Sequence, residues 1–417
     1  MISIESFWQP SETAVKYQVI NVPSITSPKG FTASGIHCGI KRKRLDLGLL
    51  VCEVPAATAG VYTLNRLQAA PLQVTREGLA VDSHMQALIC NSGIANACTG
   101  KRGLEDARMM QTETAKGLGI PAHRVGVAST GLIGDFLPMN RIRMALPSLI
   151  KGQSREGHVP FSQSILTTDT RTKEAEVRLQ VEGKEVRIAG VAKGSGMINP
   201  RMATMLAFMT TDAVISPEVL QGLLGEVTDE TFNRITVDGD TSTNDMVTVM
   251  ASGLAAHSPL SPGHPDWKVF REGFAFVAQE LAKKIARDGE GATRLVEVQV
   301  TGAGSEEKAV QAAKSVVGSS LVKTAVYGAD PNWGRILCAL GYSGSDLDPE
   351  KVDVSIGSIP IIIQGQPVHF DEEAARACLQ EETVILQVNL HQGVYQAKAW
   401  GCDLTYDYVR INANYRS

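Results

Sequence analysis

Stretches with strand-like and helix-like spacing of apolar residues alternate along the chain, which predicts a mixed α/β fold. Short apolar runs at 85–91 and Val125–Ala128 predict two buried strands. Between them, residues 103–118 carry acidic side chains early and a lysine late, as the dipole of a helix favours. Alternation over 175–192, interrupted by the turn residues Glu182–Lys184, predicts a β-hairpin.

The second half of the chain continues the alternation of elements. The pattern predicts, in order, a helix, a longer helix, a strand and another helix at 217–231, 265–287, 295–302 and 305–318. Glycines end the longer helix, and the pattern changes after it. This change places a boundary near 290–295 and predicts two units, 1–290 and 291–417, the second of them smaller.

The composition is that of an ordinary globular protein. With 417 residues, of which 43% are hydrophobic and 20% charged, the chain is neither disordered nor collagen-like. Aromatic residues make up only 5%, which argues against a surface that stacks nucleic-acid bases, so no nucleic-acid partner is expected. The opening MISIESFWQPSE lacks the features of a signal peptide, and no apolar run is long enough to span a membrane. We therefore expect a cytoplasmic protein with no membrane partner.

The spacing of cysteine and histidine argues against a metal site or a disulfide framework. The seven cysteines form no C-x-x-C pair, and the eight histidines show no zinc-binding pattern. No metal and no cofactor are expected. The segment Lys193–Met197 resembles a phosphate loop only superficially, because its lysine precedes the glycines instead of following them. A lysine beside small residues does suit a substrate carboxylate.

The most informative segment runs from Lys193 to Asp212 and reads KGSGMINPRMATMLAFMTTD. It closely resembles the self-processing segment of the ornithine acetyltransferases, also called glutamate N-acetyltransferases of arginine biosynthesis. Similar blocks extend along nearly the whole chain: Pro28–Phe31, Asn65–Pro71, Asn91–Ala97, Ser129–Gly134, Thr167–Thr170, Asp238–Asp245, Arg287–Thr293, Ala329–Arg335 and Asn412–Ser417.

The resemblance implies a layered αββα core, similar to that of self-processing aminopeptidases, with a smaller C-terminal α/β domain. It also implies cleavage between Ala203 and Thr204, which gives chains 1–203 and 204–417 that pair into a heterotetramer. Residues 1–203 carry 24 Lys+Arg and 16 Asp+Glu, a net +8, whereas the remainder carries 16 and 28, a net −12. Opposite charges favour continued association of the two chains.

A threonine at the new chain end gains chemistry that an internal threonine lacks. The Thr204 hydroxyl attacks the Ala203 carbonyl, and hydrolysis of the resulting ester frees the α-amino group of Thr204, which then serves as general base to its own hydroxyl. The resemblance places an oxyanion hole at Thr130 and Gly131. Taken alone, Ser129–Gly131 is typical of a turn after a strand.

The resemblance assigns the remaining site residues to substrate binding. These are Thr167, Lys193, Thr204, Glu290, Asn412 and Ser417. From charge, we infer that Lys193 binds the substrate carboxylate and Glu290 its ammonium. Thr168, beside Thr167, is an equivalent candidate for the neutral contact.

The implied reaction moves an acetyl group from N2-acetylornithine to glutamate through an acetyl-threonine intermediate. Acetyl-CoA as a second donor, which would make the enzyme bifunctional, stays open. A self-processing aminopeptidase or amidase is the main alternative, because it uses the same kind of nucleophile. A metabolite-binding protein that is never processed is a third.

Overall fold

A computed structural model of the chain describes residues 16–199 and 205–414. These residues form two sheets and the helices that cover them. The first sheet contains β1 (Tyr17–Val19), β2 (Phe31–Ile36), β3 (Leu47–Tyr62), β4 (His84–Ile94), β5 (Val125–Leu132), β6 (Lys173–Val181), β7 (Lys184–Lys193), β8 (Leu206–Thr211) and β9 (Met246–Ala251). The second contains β10 (Leu295–Ala303), β11 (Asp353–Ile356), β12 (Ile359–Ile363), β13 (Gln366–Pro367), β14 (Thr383–Asn389) and β15 (Tyr395–Cys402).

The helices follow the strands in an alternating order. They are α1 (Ala70–Asp82), α2 (Gly100–Leu118), α3 (Met139–Lys151), α4 (His158–Ser164), α5 (Pro217–Glu230), α6 (Trp267–Arg287), α7 (Glu306–Gly318), α8 (Ser320–Tyr327), α9 (Trp333–Gly341), α10 (Glu372–Gln380) and α11 (Tyr406–Asn414). Within the described ranges, no helix is long and apolar enough to cross a membrane.

The long strand β3 divides the first sheet into two halves. Its residues 47–52 pair with β2 and β4, whereas residues 57–62 pair with β9. The strand order is β1-β6-β7-β8-β9-β3-β4-β5, with β2 beside β3. The register with β4 shifts between Val51 and Ala56, an irregularity of the kind that lets a strand bend.

Side chains alternate between the two faces of a strand, so strands such as β4 and β8 contribute to two cores. Leu88 and Cys90 of β4 share an inner core with Phe208 of β8, which lies in the other half of the sheet. Phe161 of α4 joins this core, its ring centroid 6.0 Å from that of Phe208. The inner core therefore lies between two layers of strands.

Helices cover the two outer faces. Ile89 of β4 packs with residues of α1, α2 and α3, including Met110. Met209 of β8 and Val247 of β9 pack with α5 and α6, including Leu281. The order of layers is thus helix, strand, strand, helix, which confirms the αββα core expected from the sequence.

The second sheet has the order β13-β12-β11-β14-β10-β15 and its own hydrophobic core. Helix α7 packs against β10 and β15, and α10 packs against β14. Helix α6 contacts strands of both sheets. The division of the chain into units 1–290 and 291–417 stays a prediction.

The structure contains every element that the pattern predicted, with one informative difference. The strand expected at Val125–Ala128 continues through Ser129–Gly131 as part of β5. These residues pair in parallel with β4, Ser129 opposite Asn91 and Thr130 opposite Ser92. The interpretation of Ser129–Gly131 as a turn was therefore wrong, because cross-strand pairing overrides the local preference of Ser, Thr and Gly for turns.

Candidate active site

Six residues predicted for the site line one cavity of about 180 Å³. They are Thr130, Gly131, Thr167, Lys193, Glu290 and Asn412. They come from the ends of β5 and β7, from the segments that follow α4 and α6, and from α11. Thr168 lines the same cavity, so the choice between Thr167 and Thr168 stays open.

Three predicted site residues, Ala203, Thr204 and Ser417, lie outside the described residues. Met205, which follows Thr204 in the sequence, does line the cavity, and so does Leu206. The described chain therefore enters strand β8 from the cavity wall.

The backbones of β4 and β5 approach each other closely at Gly131. Its φ angle is +132°, and a Cβ at this position would lie 2.2 Å from the carbonyl carbon of Gly93. Only glycine fits both the conformation and the space. The preceding residue, Thr130, is buried and accepts a hydrogen bond at Oγ1 from Lys193 Nζ at 3.2 Å.

Lys193 is the last residue of β7, and only 8% of it is exposed. Burial lowers its pKa from the ordinary value of a lysine, although the nearby carboxylate of Asp169 opposes this effect. Its ammonium lies beside the Thr130 hydroxyl. That placement suits stabilisation of negative charge on a reacting carbonyl as well as binding of a carboxylate.

Glu290, which the sequence assigns to the substrate ammonium, contacts Asn412. Asn412 Nδ2 donates to Glu290 Oε2 at 2.7 Å, which joins α11 to the segment after α6. A Cβ on Gly196 would lie 2.4 Å from the Glu290 carboxyl carbon, so a glycine there leaves room for the carboxylate. The Glu290 backbone N–H donates to the Ser195 carbonyl at 3.0 Å.

A buried ion network, which the sequence analysis did not predict, lies behind the cavity. The fully buried Lys173 Nζ donates to Asp169 Oδ1 and to Asp288 Oδ2, both at 2.6 Å. Burial alone would raise the pKa of Asp169, but the charges of Lys173 and Lys193 and the hydrogen bonds that the carboxylate accepts together outweigh burial and lower it. Asp169 is therefore held in the charged form, and it shares the Lys173 cation with Asp288.

This network fixes three segments that line the cavity. Asp169 accepts from the backbone N–H groups of Gly194 at 2.7 Å and Thr167 at 3.0 Å. The Asp288 carbonyl accepts from Ser195 Oγ at 2.6 Å. The segments that carry Thr167, Lys193 and Glu290 are thus tied to the same buried charges.

The segment that leads to the predicted cleavage bond is held by the block 238–241. Asp238 accepts from the backbone N–H groups of Met197 at 2.6 Å and Ile198 at 2.8 Å. Thr241 Oγ1 donates to the Asn199 carbonyl at 2.9 Å. Residues 197–199 are therefore fixed a few positions before the predicted cleavage bond.

Asp245 is a buried acid for which no role was predicted from the sequence. It lines the cavity, is only 1% exposed, and its Oδ2 atom has no hydrogen-bond partner among the described residues. Burial raises its pKa well above the ordinary value, although hydrogen bonds from Thr63 and Ser242 oppose this effect. Asp245 therefore binds a proton in the folded state at pH values where the unfolded chain has lost it.

This raised pKa predicts a pH-dependent effect of Asp245→Asn on stability. Above the ordinary aspartate pKa of about 4, the folded state holds one more proton than the unfolded state, so stability falls as pH rises. Asparagine removes that dependence. We expect the thermal midpoint of the variant, measured relative to that of the wild type, to rise from pH 5 to pH 8. Asp240→Asn, at an exposed position, is the control. If the thermal midpoints of Asp245→Asn and the wild type changed with pH by the same amount, that result would contradict the raised pKa.

The charges around the cavity are unequal. Besides the protonated Asp245, the acids Asp238, Asp240 and Glu290 line it, with Lys193 as the cation. Among the described lining residues there is no histidine and no cysteine. The described ranges also contain no group of His, Cys, Asp and Glu arranged to hold a metal ion. The cavity therefore suits a ligand with ammonium groups.

Comparison with known proteins gives consistent similarities. A model of the ArgJ family matches residues 32–417. The arginine biosynthesis bifunctional protein ArgJ of Halalkalibacterium halodurans is 59% identical over 395 residues, which cover 94% of this chain and 96% of that protein. A crystal structure of this bifunctional protein from Bacillus halodurans, 59% identical, aligns with 49% of this chain and 97% of that chain, with a TM-score of 0.49. A crystal structure of ornithine acetyltransferase from Mycobacterium tuberculosis, complexed with ornithine, is 35% identical and aligns with 45% of this chain and 100% of that chain, with a TM-score of 0.42.

Proposed function

Because the chain belongs to the ArgJ family, we propose that it transfers an acetyl group from N2-acetylornithine to glutamate, after cleaving itself between Ala203 and Thr204. One observation carries this proposal: residues from five separate segments, each predicted for the site, line a single cavity. Met205, next to the proposed nucleophile in sequence, lines it too. We further propose that the two chains remain associated in a cytoplasmic heterotetramer.

The cavity needs a nucleophile and a base, and its described lining offers no histidine or cysteine. A threonine with a free α-amino group supplies both functions in one residue. The amine accepts the hydroxyl proton as the Thr204 oxygen attacks the acetyl carbonyl. Thr130, Gly131 and the Lys193 ammonium lie together on the cavity, which supports their assignment to stabilising the resulting oxyanion.

The donor and acceptor are both charged amino-acid derivatives. N2-acetylornithine carries a carboxylate and a side-chain ammonium, so a matched site needs one cation and one anion. Lys193 and Glu290 are a buried cation and a buried carboxylate on the same cavity. This supports the assignment of Glu290 to the ammonium and Lys193 to the carboxylate.

Product analysis tests the reaction directly. The purified protein is incubated with N2-acetylornithine, with and without glutamate, and N-acetylglutamate, ornithine and acetate are quantified. We expect N-acetylglutamate to form only when glutamate is present. Release of acetate without N-acetylglutamate would instead support the hydrolase alternative.

Glu290→Gln separates charge from shape in the substrate site. Glutamine keeps an oxygen for the Asn412 contact but lacks the negative charge that an ammonium requires. Loss of one charge-assisted contact weakens binding by about 1.5–3 kcal/mol, so we expect the KM for N2-acetylornithine to rise about 10–100-fold. Glu373→Gln, exposed on α10, is the control and should leave the KM unchanged. An unchanged KM in Glu290→Gln would remove this residue from ammonium binding.

A further inference from the structure

The loop between β2 and β3 carries four consecutive cations, Lys41, Arg42, Lys43 and Arg44. We call these residues the basic loop. Arg42, Lys43 and Arg44 are exposed. Within the residues that the structure describes, the side chains of Arg42 and Lys43 form neither a salt bridge nor a hydrogen bond. In a chain whose net charge is −4, this is a local concentration of unpaired positive charge.

The basic loop has a fixed conformation. The buried Asp46 carboxylate accepts hydrogen bonds from the backbone N–H groups of Cys38 at 2.6 Å, Gly39 at 3.1 Å and Lys41 at 2.9 Å. These bonds fold the loop back on its own base. A ligand that binds there meets cations that are already positioned, and the entropic cost of ordering the loop is reduced.

The basic loop also adjoins the cavity. Lys41 Nζ donates to the Leu166 carbonyl at 2.8 Å, and Arg44 Nη1 donates to the Thr167 carbonyl at 3.4 Å. Thr167 itself lines the cavity. From the other side, a Cβ on Gly93 would lie 3.0 Å from Lys41 Cγ, and Gly93 is paired with Gly131 of the cavity wall.

The two regions have opposite charge. Besides the protonated Asp245, the cavity is lined by three acidic residues and one lysine, whereas the adjoining loop carries four cations. Burial lowers the pKa of Lys41 to about 8; the charge of Arg44 adds to this effect, whereas the carboxylate of Asp46 opposes it. A ligand that spans both regions would place an anionic end on the loop and a neutral end in the cavity.

We propose that the basic loop binds the phosphate groups of acetyl-CoA while the thioester reaches the cavity. This inference rests on the proposed function, because it supplies the second acetyl donor of the same nucleophile. The Thr204 oxygen forms a bond to the acetyl carbon and the carbon–sulfur bond breaks. The hydroxyl proton passes through the α-amino group to the departing sulfur, which leaves as the thiol of CoA.

The experiment compares the two donors in one pair of variants. Arg42→Glu/Lys43→Glu reverses two exposed charges of the basic loop. Lys116→Glu/Arg376→Glu makes the same change in net charge at exposed positions on α2 and α10. We expect the KM for acetyl-CoA to rise about 100-fold in the first variant, the loss of two charge-assisted contacts, and to change little in the second. The KM for N2-acetylornithine should stay within about twofold in both.

Direct binding identifies the contacted groups without relying on turnover. CoA, dephospho-CoA and pantetheine are titrated calorimetrically into the processed wild-type protein and both variants. We expect affinity in the wild type to fall in that order, and the loop variant to lose the differences between the three. Equal affinities for the three ligands in the wild type, or an unchanged KM for acetyl-CoA in the loop variant, would overturn the proposal.

Two further outcomes separate this inference from the proposed function. Transfer from N2-acetylornithine without any transfer from acetyl-CoA, together with no CoA binding, would overturn the basic-loop proposal and leave the proposed function intact. Phosphate-dependent CoA binding in a protein that transfers acetyl from neither donor would support the basic-loop proposal and overturn the proposed function. Heparin binding that CoA does not displace would assign the loop to another polyanion and overturn the proposal.

Discussion

Thr204→Ala is expected to leave a single chain of 44.6 kDa that neither cleaves nor transfers acetyl groups. Alanine lacks the hydroxyl that attacks the Ala203 carbonyl, so no ester forms and no terminal amine is released. The same oxygen is the proposed acetyl carrier, so transfer should fall by at least about 10³-fold, the scale seen when a covalent nucleophile is removed. Intact mass measures the cleavage, and N-acetylglutamate formation measures the transfer.

Two controls separate the hydroxyl from the fold. Thr204→Ser keeps the hydroxyl and should retain cleavage, although more slowly because serine lacks the stiff χ1 of threonine. Thr112→Ala changes an exposed threonine on α2 and should process like the wild type. If Thr204→Ala still transferred acetyl groups, the nucleophile would have to be another residue.

Lys173→Met is expected to lower the free energy of unfolding by about 3–5 kcal/mol, the cost of leaving a buried partner charge unpaired. Two carboxylates, Asp169 and Asp288, share this cation and are themselves buried. Because the network also holds the segments of Thr167 and Lys193, acetyl transfer should fall as well. Urea denaturation gives the first quantity and initial rates the second.

An exposed ion pair provides the matched control. Lys351 Nζ lies 2.9 Å from Asp348 Oδ2, but its side chain is 58% exposed. Lys351→Met should therefore change stability by less than about 1 kcal/mol. Adding Asp169→Asn to Lys173→Met should recover part of the loss, because one buried charge is removed. Equal stability of Lys173→Met and Lys351→Met would mean that the buried network contributes nothing.

The periodic elements could be predicted from the sequence because each has one buried face. Helix α6 and the hairpin of β6 and β7 agree with their predicted ranges to within a few residues. Strand β3 was not predicted, since Leu47–Leu50 are buried without alternation and the strand changes partners midway. Both the formation of β3 and the extension of β5 through Gly131 depend on pairing with other strands of the sheet, which the local sequence pattern does not show.

The site residues were predicted by resemblance to a family, and the buried charges beneath them were not. Lys173 is a polar residue at the start of a strand, and its partner Asp288 lies 115 positions away. A lysine of this kind is ordinarily exposed, so its burial follows only from the fold. Asp169, Asp245 and Asp288 do lie inside the sequence blocks that carried the resemblance, which is the signal that could have directed attention to them.

The order of strands in the first sheet has a consequence for assembly. If the chain is cut as proposed, β8 and β9 belong to one fragment and lie between β7 and β3 of the other. Each fragment made separately would expose unpaired strand edges on both sides of the gap, and such edges favour aggregation. Such a cleavage would have to follow folding, and the two fragments together should then melt in one transition although no peptide bond would join them.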